Sequence, residues 1–290
     1  MSQPSYTLID PRTKDMALRI TYFKDNGHFN TLRKYNYFSM LLVSGGKGAV
    51  LRDGAPYTFE SACLLCFALY QPFMLMPEHG LEGVLINFHP SFFCLFKHRN
   101  EVSCNGVLFN NLYDTPMVRL NPGEMQSLSV LAHQIRTELR DRQQPDEDVL
   151  LSHLKVFLIT ASRAKIEQRQ NEDTLPARMP SAAEDLKNAI ETHFKTLHAP
   201  ADYGDLLHLS TKTLNKASKD HFNKTLTDLI AERLIIEAKR ELYLTAKSVK
   251  EIAFELGYED EFYFSRYFKK KVGVSPQTFR NTVGFDKLTA

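Results

Sequence analysis

Ser248-Val-Lys-Glu-Ile-Ala-Phe-Glu-Leu-Gly-Tyr258, then Glu259-Asp-Glu-Phe-Tyr-Phe-Ser-Arg-Tyr-Phe-Lys-Lys-Lys-Val-Gly273, then Val274-Ser-Pro-Gln-Thr-Phe-Arg280, reads as helix, tight turn, helix. Ile252, Ala253 and Leu256 give the first helix one apolar face, Gly257 ends it as a left-handed C-cap, and Asp260 is placed to cap the next. On that next helix Phe264, Tyr267 and Phe268 form the expected buried face. Glu261, Phe262, Ser265, Arg266, Lys269 and Lys270 are left outward. The pattern occurs twice. Tyr203 to Ser210, Thr211 to Phe222 and Asn223 to Thr225 make the first copy. Leu207 aligns with Leu256 and His208 with Gly257 at an offset of 49. One extra residue in the second turn makes the offset 50, aligning Ser210 with Asp260, Leu214 with Phe264 and Asn223 with Gly273. Two such units in one chain suggest a protein that reads two successive turns of DNA.

In the first copy Leu214, Ala217, Ser218 and Phe222 are expected inward, and Lys212, Asn215, Lys216 and Lys219 outward. Asn can bond adenine through two edges, Arg or Lys can bond guanine O6 and N7, and outer lysines reach phosphates. A charged outward face on one isolated helix is more often merely solvated. Two registered copies with matching turns and matching cations tip the balance to DNA. Between them, Leu226 to Leu244 predicts a connecting helix about 27 Å long at 1.5 Å per residue. Successive major-groove faces on one side of B-DNA are about 34 Å apart, so a rigid connector of this size suits neighbouring grooves.

Bulk charge does not announce a nucleic-acid binder: the 290-residue chain has a net charge of +2. From Ser181 to Ala290 the sequence holds 17 Lys+Arg against 16 Asp+Glu, a net of +1. Placement carries the argument instead. Lys212, Lys216, Lys219 and Lys224 cluster in the first copy, and Arg266, Lys269, Lys270, Lys271 and Arg280 in the second. The acids lie mostly elsewhere, at Glu232, Glu237, Glu241, Glu251 and Glu255. Length makes two domains the natural expectation, and 43% hydrophobic with 24% charged residues is ordinary for globular protein. No apolar run approaches eighteen residues and Met1 to Tyr6 lacks an export-signal pattern, so the expected compartment is the cytoplasm, with no membrane partner.

The first 120 or so residues read as β-rich, with candidate strands at 36–43, 49–52, 63–67, 73–76 and 83–88. Short, closely spaced strands suggest a small barrel or sandwich, with Gly45-Gly46-Lys47-Gly48 and Asp53-Gly54 as hairpin turns. Helical spacing follows over Pro122 to Arg140 and Asp146 to Gln168. In the second helix Val149, Leu150, His153, Leu154, Phe157, Leu158 and Ala161 form an apolar stripe. Such a stripe could cover the barrel or face a second subunit. Arg169 to Ser181, polar and carrying two prolines, reads as a linker. Helices are expected beyond it at 182–197, 201–208, 211–222, 226–244, 248–256, 261–272 and 276–281. Cys63, Cys66, Cys94 and Cys104 read as buried thiols. Residues three apart on a strand point to opposite faces, which disfavours a Cys63–Cys66 chelate. His28, His79, His89 and His98 are scattered without a His-x-His pair, and no G-x-S-x-G, P-loop or G-x-G-x-x-G occurs. No catalytic residue, metal ligand or cofactor is nominated, and the chain is not expected to be an enzyme.

The motifs Ile252-Ala253, Leu256-Gly257-Tyr258, Tyr263-Phe264-Ser265-Arg266, Phe268-Lys269, Gly273 and Ser275-Pro276 with Phe279-Arg280 resemble those of the AraC/XylS family of bacterial transcription regulators. The connector Arg233-Leu-Ile-Ile-Glu-Ala-Lys-Arg240 is also similar to the family's. The resemblance spans about Ala182 to Arg280, and Asn223 stands where the family usually has Gly. It implies an α+β two-domain protein. A cupin-like β-barrel with two following helices, over 1–168, would sense a ligand and dimerise. A linker over 169–181 would join it to an all-α double helix-turn-helix domain over 182–285. Base-facing positions would be Lys212, Asn215 and Lys216 in the first unit and Phe262, Ser265 and Arg266 in the second. Lys219, Lys224, Lys269, Lys270 and Arg280 would face phosphates. Phe38, Met40, Asn87 and His89 would line the ligand pocket. The implied partners are double-stranded operator half-sites, a second copy of the chain, RNA polymerase for an activator, and a small-molecule effector. The competing readings are a ligand-independent regulator whose barrel only dimerises, and a metal-dependent cupin enzyme fused to a DNA-binding domain.

Overall fold

The computed structural model describes residues 4–24, 29–78, 80–95, 106–173 and 181–283. Contacts divide the chain into two compact units. One comprises Met1–Asn111 with Thr115–Leu175, the other Leu112–Asp114 with Pro176–Ala290. The first unit opens with strands β1 (Ser5–Ile9), β2 (Met16–Lys24), β3 (Phe38–Gly45), β4 (Lys47–Arg52) and β5 (Ala55–Glu60). β6 (Cys63–Phe67), β7 (Phe73–Pro77), β8 (Glu82–Phe88) and β9 (Met117–Arg119) complete its strands. They form a six-stranded sheet ordered β1-β2-β8-β3-β6-β9 and a three-stranded sheet ordered β5-β4-β7.

Strand alternation builds the core between the sheets. Phe23, Leu41, Val43, Cys63, Leu65 and Leu85 from the larger sheet meet Val50, Phe59, Phe73 and Leu75 from the smaller. Phe67 stacks on Phe73 with centroids 3.9 Å apart. Burying one such phenylalanine stabilises the fold by about 1.5–3 kcal/mol. The β-rich expectation holds, but the two sheets do not close into one barrel. Asp53 and Gly54, at φ 52° and 84°, form the expected tight β4–β5 hairpin. Gly45-Gly46-Lys47-Gly48 is not a hairpin turn: β3 pairs with β6 and β8, whereas β4 pairs with β5 and β7. The glycines carry the chain from one sheet to the other, with Gly46 at φ 97°. A Cβ on Gly48 would stand 2.4 Å from the Met76 carbonyl oxygen, so the crossing also needs its bare backbone.

Helices α1 (Pro122–Asp141) and α2 (Glu147–Asp173) follow. Asn121 and Glu124 make a reciprocal capping box at the start of α1. α1 packs on β1, β2 and β3, and α2 packs on α1 and β9. Lys165 of α2, fully buried, donates to the Met117 carbonyl at 2.8 Å. Residues 169–173, expected as linker, continue α2; 174–180 lie outside the described residues. Cys63, Cys66 and Cys94 are buried and not disulfide-bonded among the described residues, and burial pushes the Cys63 thiol up to about 12. Cys104, His28, His79 and His98 lie outside the described residues.

The second unit is helical: α3 (Ser181–His193), α4 (Pro200–Leu207), α5 (Thr211–Phe222), α6 (Leu226–Leu244), α7 (Val249–Glu255), α8 (Glu261–Val272) and α9 (Pro276–Val283). Helix α6 is its axis. Leu229, Ile230, Ala231, Leu234, Ala238 and Leu242 are buried, and α3, α4, α5, α7, α8 and α9 all pack against it. Leu112–Asp114 packs with this unit: Tyr113 donates to Glu191 at 2.8 Å and its ring meets Phe222 edge-on at 5.3 Å. Among the described residues no helix is long and apolar enough to cross a membrane.

Candidate nucleic-acid interface

The repeat is realised residue by residue. Ser210 accepts from the Thr213 amide and Asp260 from the Phe262 and Tyr263 amides, so each opens its helix as N-cap. Asn223 and Gly273 end those helices in the left-handed region, at φ 56° and 90°. His208 and Gly257, one helix earlier, are left-handed too, at φ 54° and 79°. The correspondence extends past the expected alignment. Thr225 caps α6 through the Asp228 amide, and Ser275, fifty positions on, accepts from the Thr278 amide. Leu214 and Phe264 are buried, as are Ser218 with Phe268 and Phe222 with Val272. Tyr267, expected fully inward, is only half-buried, as is Ala217. A Cβ on Gly257 would lie 2.2 Å from the Lys195 carbonyl oxygen. Gly257→Ala should therefore cost more than the roughly 1–2 kcal/mol of a left-handed alanine, read as a lowered unfolding midpoint with DNA affinity per folded molecule retained.

Once these helices are seated, Lys212 and Lys216 on α5 and Phe262 and Arg266 on α8 are exposed, with Ser265 half-buried between the latter two. Phe262 keeps 67% of its surface, an apolar group presented outward without a partner. Tyr263, part of a motif in the sequence but not among the residues expected outward, is also outward at 55%. Asn215 is half-buried, and its side-chain oxygen accepts the Leu226 amide at 3.0 Å. That oxygen fastens the start of α6, so Asn215 as placed does not offer both edges of its amide to a base.

Charge separates by role. Glu237, buried at the middle of α6, accepts from Arg233 at 3.1 Å and Arg240 at 2.8 Å. Arg233 also pairs with Glu191 at 2.9 Å and lies 3.7 Å above the Phe194 ring. Glu241 and Glu255 both hold Lys247, at 3.0 and 2.6 Å, and Glu251 closes the capping box with Ser248 at the start of α7. Internal cations and caps thus take up these acids. Lys212, Lys216, Lys219, Lys269 and Lys270 are exposed and have no ion-pair partner among the described residues. Arg266 is only loosely held, 3.8 Å from Asp260. The near-neutral unit therefore presents exposed cations without ion-pair partners among the described residues on α5 and α8.

Two expected phosphate contacts are corrected. Lys224 is buried: its ammonium pairs with Glu232 and reaches the Leu112 carbonyl at 3.5 Å. The left-handed Asn223 reverses the chain, turning the next side chain inward, and Ser218 holds the Lys224 carbonyl at 2.7 Å. Arg280 is buried on α9 and donates to the Lys247 carbonyl, tying α9 to the loop between α6 and α7. Lys219→Ala should lower the slope of log affinity against log salt by about 1, while Lys224→Met should leave the slope unchanged. Titrations at three salt concentrations compare the two.

The four expected pocket residues do not line one cavity. Asn87 shares the inner face of the larger sheet with Ser39, to which it donates at 2.9 Å. Phe38 and Met40 alternate to the opposite face, where Phe38 packs on Phe88 and Phe109 with centroids 5.1 and 4.8 Å away. His89 is buried just past β8; its Nδ1 accepts the Ser91 amide at 3.2 Å and contacts the Ser91 hydroxyl at 2.7 Å. Among the described residues no three His, Cys, Asp or Glu side chains are placed to hold a metal ion.

A family model described as a helix-turn-helix domain matches residues 203–282, the stretch that holds both units. Over 289 residues the chain is 23% identical to the uncharacterized HTH-type transcriptional regulator YfiF of Bacillus subtilis, covering 96% of this chain and 88% of that protein. It is 21% identical over 271 residues to the HTH-type transcriptional activator RhaS of Escherichia coli O81, covering 85% and 86%. A local match of 38% over 86 residues, 30% of this chain and 16% of the relative, is to the HTH-type transcriptional activator Btr of Bacillus subtilis. The match over both units and the likenesses along the chain to HTH-type transcriptional regulators agree with the resemblance of the double unit and its motifs to the AraC/XylS family.

Proposed function

We propose that this chain is a sequence-specific DNA-binding transcription regulator that reads two adjacent half-sites, one with each helix-turn-helix unit. The observation that carries the reading is the pair of registered second helices, each presenting unopposed lysines beside a few shorter polar or apolar groups. Lys212, Lys216 and Arg266 are the base readers, with Ser265 and Phe262 beside Arg266, the latter suited to a thymine methyl. Lys219, Lys269 and Lys270 set register on phosphates. Because both units hang on one helix, binding the first raises the local concentration of the second at its site, so paired sites should bind far more tightly than single ones.

The first unit acts as the sensor and assembly half. A cavity of about 630 Å³, lined by Tyr22, Leu42, Val84 and Met125 among others, opens between the outer face of the larger sheet and α1. It is of ligand-holding size and replaces the scattered residues expected from sequence as the effector site. Exposed Val130, Val149 and Val156 on α1 and α2 suit a symmetric contact with a second copy. In the cytoplasm such a dimer would place four readers on an operator and would activate through RNA polymerase.

Selection from random DNA followed by footprinting tests the reading. The expected product is a site with two boxes about one helical turn, 10–10.5 bp, apart, protected on one face. Equal affinity for selected and random DNA would overturn it. Thermal shifts across a metabolite panel test the sensor. No shift, with a Leu42→Trp variant equally silent, would leave the first unit to assembly alone. Stoichiometric iron, manganese or zinc in purified protein would instead favour an enzyme.

A further inference from the structure

The second unit contains a pocket that DNA reading does not use. It measures about 360 Å³ and is lined by His198, Leu234, Gly257, Tyr258, Glu259, Asp260, Tyr263 and Tyr267. His198 comes from the loop between α3 and α4, Leu234 from α6, and the others from the turn between α7 and α8 and the first half of α8, so three parts of the helical unit meet here. Tyr258 is the hub. Its ring centroid lies 5.0 Å from His198, 6.0 Å from Tyr263 and 5.9 Å from Tyr267, with Phe264 beneath at 5.3 Å.

The pocket's polar groups are unspent. The hydroxyls of Tyr258, Tyr263 and Tyr267 make no hydrogen bond to a described residue, and Glu259 has no ion pair among them. The His198 Nε2 is buried without a hydrogen-bond partner. Gly257 brings its backbone against that ring: a Cβ there would lie 3.3 Å from Nε2. Burial raises the Tyr258 and Tyr267 hydroxyls, the latter to about 12, so both rings are neutral phenols at ordinary pH. Of the two acids on the rim, Asp260 is committed to capping α8 and lies near Arg266, which leaves Glu259.

Neutral aromatic faces, an unpaired carboxylate and a buried nitrogen acceptor share one complementary ligand type. A cation with N–H donors is attracted by the ring quadrupoles, pairs with the carboxylate, and can donate to Nε2 when His198 carries its proton on Nδ1. An anion would meet π faces and Glu259, and a neutral apolar molecule would leave Nε2 unsatisfied. We propose that the His198–Tyr258–Tyr263–Tyr267 pocket is a binding site for a small organic cation bearing an ammonium or guanidinium group. The ligand would contact the helical unit's entry loop, its central helix and its second turn together, and so brace the second reader against α6.

Full-length protein with ¹³C-labelled tyrosine rings, free of DNA so that phosphate does not compete, is titrated with ethylguanidinium and with its uncharged isostere ethylurea. Saturable shifts of ring signals assigned through Tyr263→Phe and Tyr267→Phe, with ethylguanidinium only, are expected. Glu259→Gln and the exposed Tyr263→Ala should each weaken that binding by about fivefold or more while unfolding midpoints stay unchanged. Equal response to ethylurea, no saturable shift up to about 10 mM cation, or unaltered binding in both variants would overturn the proposal. An arginine-containing peptide that shifts the same signals at least as strongly as the free cation would identify a partner's side chain as the source of the group.

Discussion

Phe268→Ala should unfold the second helix-turn-helix unit at temperatures where the wild-type chain is intact. Phe268 is fully buried; its centroid lies 6.0 Å from Phe264 and 5.9 Å, edge-on, from Phe279, so it joins α8 to α9. Truncating a buried phenylalanine removes its transfer free energy and leaves a cavity, together about 3–5 kcal/mol. Against a total of about 5–15 kcal/mol for a domain, that is a large fraction. A unit of this size should melt about 10 °C or more lower. Phe262→Ala, six residues earlier on the outward face, supplies the contrast. It loses no internal packing, should change stability by about 0.5 kcal/mol or less, and should act on DNA affinity instead. Differential scanning calorimetry of both variants checks the assignment of faces. Equal destabilisation would place Phe262 in the core and remove it from the interface.

Arg266→Ala and Lys216→Ala should each weaken binding to the selected site by about 1–3 kcal/mol, roughly 5- to 150-fold, and relax sequence preference at the contacted position. Both side chains are exposed, on α8 and α5 respectively, so neither change disturbs the core. Removing them together takes a base-reading cation from each unit, and the tethering advantage should fall with them. Lys270→Ala, by comparison, should weaken all sequences alike. Affinities for the selected site, for single-box sites and for random DNA, measured at one salt concentration, separate the two kinds of contact. Undiminished sequence preference in the double variant would refute the assignment of the readers.

The double unit was legible because its determinants are local. A capping Ser210 or Asp260, a left-handed Asn223 or Gly273, and apolar residues at three- and four-residue steps each act within a turn or two of chain. Their registered recurrence predicted the helices, their caps and most of the outward face. The strands were legible only in part. Candidates at 36–43, 63–67 and 83–88 fall on β3, β6 and β8, but β1, β2, β5 and β9 went unread. The exposure pattern of β1 alternates only between exposed and half-buried positions, leaving little apolar rhythm to detect, and β9 is three residues long.

Sequence by itself determined the fold class, the repeat, its register and the family it resembles, all of which follow from short-range chemistry repeated along the chain. Tertiary structure alone decided which cations remain available. Lys224 and Arg280 look from sequence like Lys219 and Lys270, yet the Leu112 carbonyl, with Glu232, and the Lys247 carbonyl draw them inside, and both carbonyls are distant in sequence. It also decided that Gly45–Gly48 crosses between sheets, and that Asn87 and Met40 lie on opposite faces. The reason is the same in each case. A long side chain or a strand edge finds its partner by the closing of the whole fold, and local periodicity carries no record of which distant group will be there.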